Sequence, residues 1–139
     1  MNHLSLPGIR KIGYLECDKL APQLMMKSLV GVPIAILTDL VNISFSGEAT
    51  CEAVSDNDNN GRSEKTTLKF STLQQIPDNR PLAFVVQCVN GNNYLIGTKE
   101  RPYPIIKITT DTGSAGGNIS SYTVEVSHIG IKSLLPVAV

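Results

Sequence analysis

Six consecutive residues, Asp56-Asn57-Asp58-Asn59-Asn60-Gly61, carry the clearest metal grammar in the 139-residue chain. Oxygen ligands at alternate positions with a glycine at the sixth are the first half of a calcium loop of the EF-hand kind. The second half fails. The twelfth position is Thr67 where a bidentate glutamate is needed, and the flanks alternate with period two instead of the helical period. A solvated hairpin tip explains the same residues, because Asn and Asp accept left-handed backbone geometry. No metal or other cofactor is expected.

Nucleophilic catalysis needs a Ser or Cys within reach of a base, and the only histidines are His3 and His128. His3 sits near a terminus, and His128 continues the parity of Tyr122, Val124 and Val126, where a hydrogen-bonded strand histidine is the common case. Cys88 lies in the most apolar strand, where a thiol is buried and inert. Glycoside chemistry needs two facing carboxyl groups, and Glu48 and Glu52 share a strand face, but that face is the polar one beside Thr50. The glycines from Gly113 to Gly117 lack the Lys and Ser or Thr of a phosphate-binding loop and read as a turn. No catalytic residue is expected, and the chain is read as a non-enzyme. Asn42-Ile43-Ser44 and Asn118-Ile119-Ser120 are formal glycosylation sequons that have no consequence without export.

The aromatic residues give a different hint. Tyr94, Tyr103 and Tyr122 beside Pro102 and Pro104 can form a stiff amphipathic contact patch, since the prolines hold Tyr103 on an extended segment. Tyr94, Pro102, Tyr103 and Pro104 are therefore the candidate interface.

The elements that must position these residues are strands. Val41, Ile43, Phe45, Ala49, Cys51 and Ala53 share one parity, which predicts a half-buried strand with a bulge at Gly47. The polar stretch Ser55 to Arg62 predicts a loop. Thr66, Leu68 and Phe70 then resume alternation, so Val41 to Thr72 reads as a long hairpin. Pro77 and Pro81 flank a corner, and Leu82 to Val89 has the unbroken apolar character of a strand covered on both faces. Asn90-Gly91 predicts a tight hairpin with positive φ at both positions, returning through Asn93 to Thr98. Strands are expected at Ile105 to Thr110 and from Tyr122, with a glycine-rich turn over Asp111 to Asn118. Ile9 to Cys17 can pair as a strand, and Lys19 to Leu29 can make two turns of helix through Leu20, Leu24, Met25 and Leu29. The apolar end, Leu134 to Val139, is unusual for a free tail.

Size and composition set the frame. With 42% apolar residues a single domain can bury its core unaided, and the fold is read as a mainly β, antiparallel sandwich or partly open barrel. Twelve basic side chains balance twelve acidic ones without a dense run, which argues against nucleic acid. No secretory signal or apolar run of spanning length occurs, so no membrane association is expected and the reading is cytoplasmic. Three widely spaced cysteines fit reduced thiols in that setting.

Between Leu82 and Ser127 the order is an apolar strand, Asn90-Gly91, Tyr94-Leu95-Ile96-Gly97-Thr98, Pro102-Tyr103-Pro104, a Thr112-Gly113 turn and Tyr122-Thr123-Val124-Glu125-Val126. This stretch, about a third of the chain, resembles small prophage-encoded, virion-associated proteins of the tail or head-tail connector kind from gut bacteria. The resemblance implies a compact β domain without an active site that self-associates into a ring or tube. It implies a structural component of a phage-like particle; the alternative is a stand-alone β-sandwich module that binds a ligand or protein. Val41 to Thr72 is the expected assembly arm, and the contacts are expected to run head to tail.

Overall fold

The computed structural model describes residues 2–5, 8–36, 39–58, 61–77, 79–101, 103–111, 121–130 and 132–138. Ten strands among them make two five-stranded antiparallel sheets that pack as a sandwich and do not close into a barrel. The first sheet has the order β1 (Asn2–Ser5), β4 (Phe45–Asp58), β5 (Gly61–Thr72), β9 (Ser121–Gly130), β8 (Ile105–Asp111). The second has the order β10 (Leu134–Val137), β7 (Asn93–Ile96), β6 (Leu82–Cys88), β2 (Ile9–Glu16), β3 (Val41–Ile43).

Period-two burial holds the first sheet to the second. Thr66, Leu68, Phe70 and Thr72 of β5 turn inward, as do Val124, Val126 and His128 of β9. Of these, Leu68, Phe70, Val124 and Val126 meet Ile12, Leu82, Phe84, Val86 and Ile96 of the second sheet in the central core. Phe84 anchors it, with its ring 6.5 Å from Phe70 and 6.3 Å from Tyr14, both tilted. Truncating either buried phenylalanine to alanine costs about 3–5 kcal/mol.

Strand β6 is buried on both faces, as its composition predicts, because a third layer covers the outside of the second sheet. That layer is the excursion between β2 and β3. Leu20, Leu24, Ile34 and Ile36 from it pack on Leu15, Ala83, Val85, Leu95 and Leu135. The expected helix is present but short: α1 spans Leu24–Leu29, after a 3-10 turn at Cys17–Lys19. Gln23 adopts left-handed geometry (φ 59°), which breaks the path from Lys19 and confines the helix to six residues.

Several boundaries differ from the sequence reading. The single strand expected over Val41 to Ala53 is two, β3 and β4, and they belong to different sheets. The chain crosses between the sheets at Ser44, whose backbone is held by Thr72 and Gln74: Thr72 Oγ1 donates to the Ser44 carbonyl at 2.6 Å, and Gln74 Oε1 accepts from Ser44 N at 3.3 Å. Val41 is exposed, because strand β3 is at the sheet edge. The irregularity expected at Gly47 falls in the predicted place, between Ser46 and Thr50. There β4 carries two more residues than β5, an even number, so Ala49, Cys51 and Ala53 keep the parity of Ile43.

The loop expected over Ser55 to Arg62 is mostly ladder, with pairing that continues through Asn57↔Arg62 to Asp58↔Gly61. Polar side chains do not stop a strand whose neighbours supply its hydrogen bonds. The Asn90-Gly91 hairpin forms, but only Gly91 has positive φ (92°). Gly91 N donates to the Cys88 carbonyl and Asn92 N to Asn90 Oδ1, a longer turn than the two-residue one expected. The apolar end is a paired edge strand, β10, with Leu134 and Leu135 buried in the two cores. The glycine-rich turn expected over Asp111 to Asn118 lies, from 112 onward, outside the described residues.

Candidate interaction surfaces

The reactive side chains are placed in the interior. Cys17, Cys51 and Cys88 are free and buried. Burial pushes the Cys17 thiol up to about 11, with the Asp18 charge adding to it, and the Cys51 thiol up to about 12, with Cys88 and Glu52 adding. Burial raises Cys88 as well. Such thiols stay protonated and weakly nucleophilic. His128 is 2% exposed, on β9 opposite Thr66. Cys88 lies at the end of β6 in the other sheet, paired with Ile9. Glu52 is exposed and in register with Thr67, on the polar outer face expected for it. Side chains of His3, Glu48 and Asp58, and the segment holding Gly113 to Gly117, lie outside the described residues.

Sequence reading missed a polar cluster at one end of the sandwich. Glu64 falls on the inward parity of Thr66, Leu68 and Phe70, which is the signal that marks it. Its Oε1 accepts from Ser133 N at 2.8 Å, Leu134 N at 2.9 Å and Ser133 Oγ at 3.3 Å, and its Oε2 accepts from Ser55 Oγ at 3.1 Å. Ser133 Oγ also lies 2.6 Å from Thr66 Oγ1. The carboxylate thereby fixes the approach to β10. Among the described residues no group of three His, Cys, Asp or Glu is arranged to hold a metal ion.

The candidate tyrosines do not form one patch. Tyr94 packs against the central core from β7, and Tyr103 packs against the outer core on the other side of the same sheet. Tyr122 joins the central core from the first sheet. Pro104 is buried and its Cγ lies near Gly97, while Pro102 is outside the described residues. Tyr103 still borders a concavity of about 260 Å³ with Cys17, Asp18, Pro81 and the Glu16–Arg80 ion pair (2.9 Å), and the Arg101 guanidinium sits 5.9 Å over its ring. That ion pair is exposed and contributes little.

The apolar surface is elsewhere. Met26 (58% exposed), Leu29, Val30 (73%) and Val32 stand out of the third layer. Beside them a groove of about 390 Å³ is lined by Met25, Met26, Thr98, Arg101, Ile129 and Gly130. Ile129 and Ile105 (70%) are both exposed on the outer face of the first sheet, and Ile105 is in register with Ser127, two residues from Ile129. Met26 of α1 and Ile129 of β9 share that groove, and Ile105 of β8 lies diagonally across the ladder from Ile129.

No helix among the described residues is long and apolar enough to cross a membrane. Comparisons with protein-family models, with curated proteins and with solved structures find no match. The fold thus defines a class, a β-sandwich with a third layer over one sheet and exposed apolar residues on its surface.

Proposed function

We propose that the chain is a non-enzymatic structural component of a phage-like particle, of the tail or connector kind, acting through protein–protein contacts and self-association. The observation that carries this reading is the exposed apolar band of Met26, Leu29, Val30, Val32 and Ile129 beside a methionine-lined groove. Single exposed apolar residues are ordinary, but a contiguous set of them marks a contact surface, and methionine adapts its shape to a partner. The buried thiols and His128 fit a chain whose work is done by surfaces. The resemblance over Leu82 to Ser127 supplies the choice of particle. On this reading the protein is made in the bacterial cytoplasm and carried into the virion.

The test is particle composition. Phage-like particles purified from a strain that encodes the chain should contain it at fixed stoichiometry, detected by mass spectrometry. Its absence from intact particles would remove the virion assignment. The alternative, a stand-alone ligand-binding module, draws on the concavity bordered by Tyr103 and the Glu16–Arg80 pair. It gains ground only if the chain is missing from particles and a small-molecule screen raises its melting temperature.

A further inference from the structure

Sheets offer their edges for pairing, and the four edges here are not equal. Strand β3 has three residues and β1 four. Strand β10 carries Pro136, which removes a donor, and the chain just beyond it is bound by the third layer: Ala138 N donates to the Ile34 carbonyl and Ile36 N to the Ala138 carbonyl, both at 2.8 Å. Strand β8 has seven residues, no proline, and five β-branched side chains: Ile105, Ile106, Ile108, Thr109 and Thr110. Its inward residues Ile106 and Ile108 pack on the central core yet stay only half-buried. A further strand beside β8 would complete their cover.

Strand direction selects the occupant. Every pairing from β1 through β4, β5 and β9 to β8 is antiparallel, so the first and last strands of the sheet run the same way. Copies added head to tail would join β8 to the next β1 in parallel, the less stable pairing. Two copies related by a twofold axis join β8 to β8 antiparallel and continue the existing pattern.

The strand also carries its own register. Lys107 and Asp111 are its two charged residues and share one parity. An antiparallel pair centred on Thr109 sets each lysine position opposite the other strand's aspartate, with Thr109 facing its own copy; opposite charges and Thr–Thr pairs are both favourable there. We infer that β8 forms a twofold, edge-to-edge dimer contact centred on Thr109, making one ten-stranded sheet from two copies. This rests on the assembly reading above and replaces its head-to-tail geometry. A twofold contact closes on itself, so a ring or tube needs a second contact, for which the apolar band at α1 is available.

Sedimentation equilibrium of the full chain and its variants tests this. Asp111→Lys is the main variant, since position 111 is in register with the uncharged Ser121, whereas Lys107 is in register with Glu125. The wild type should dimerise, Asp111→Lys should weaken the dimer about tenfold or more, and adding Lys107→Asp should recover it. Thr109→Lys, with two lysines across the axis, should weaken it independently. Thermal melts confirm that each variant folds. A wild type that associates while both single variants associate equally well overturns the β8 contact and leaves self-association standing. A wild type that stays monomeric at about 0.5 mM overturns both.

Discussion

Glu64 and Ser133, separated by 69 residues in sequence, are joined by two hydrogen bonds to a single carboxylate oxygen, one from the Ser133 N–H and one from its hydroxyl. The same oxygen takes the Leu134 N–H. Glu64→Ala leaves two backbone donors without this acceptor at the edge of the core, and we expect a loss of about 2–3 kcal/mol. Glu64→Gln keeps an amide oxygen and should lose roughly half as much. Urea unfolding of both variants measures it; equal, near-zero losses would show that the carboxylate is not holding the β10 approach.

Gly97 has φ of 127°, and a Cβ there would lie 2.8 Å from Ala83 Cβ and 3.1 Å from Pro104 Cγ. Gly97→Ala combines backbone strain with a collision between β7 and β6, for an expected cost of about 2–4 kcal/mol. Adding Ala83→Gly should recover only the part due to the Ala83 methyl, since Pro104 Cγ stays 3.1 Å away. A Gly97→Ala variant that melts with the wild type would contradict this packing.

The raised thiols make stability depend on alkaline pH. An unfolded thiol ionises near 9, while folded Cys17 and Cys51 hold their protons to about 11 and about 12. Between those values the unfolded chain binds fewer protons than the native one, so stability is full below about 9 and falls as pH rises toward the folded values. Replacing Cys51 with alanine should flatten that decline, read from urea midpoints at pH 8 through about 11. Native-state labelling by a thiol reagent should be slow at neutral pH and fast after unfolding; rapid labelling of the folded protein would show that the thiols are accessible.

Calcium should leave the protein unchanged. Asp56 and Asn57 are paired ladder residues, opposite Ser63 and Arg62, so successive side chains point to opposite faces instead of converging. Millimolar calcium is expected to give no shift in melting temperature. A rise of several degrees would mean that the tip binds the ion after all.

Much of this architecture is legible from alternation alone. The inward sets of β5 and β9, the double burial of β6 and the irregularity near Gly47 all follow from residue order. What escapes alternation is membership. Parity runs unbroken from Ile43 through Cys51, so nothing local shows that the chain leaves one sheet for the other at Ser44. The third layer is hard to foresee for a related reason: Leu20, Leu24, Ile34 and Ile36 contact one face from an excursion with no single period. The surface fares worst. Tyr94 and Tyr103 are close in sequence but separated by the thickness of a sheet, whereas Met26 and Ile129 line one groove from two distant segments.

The crossing at Ser44 also has a mechanical meaning. Because one continuous run of chain is hydrogen-bonded into both layers, neither can peel away without dragging the other. Hydrogen exchange in β2 and β5 should therefore report a single global opening, and a force applied across the two sheets meets a covalent thread as well as a greasy seam.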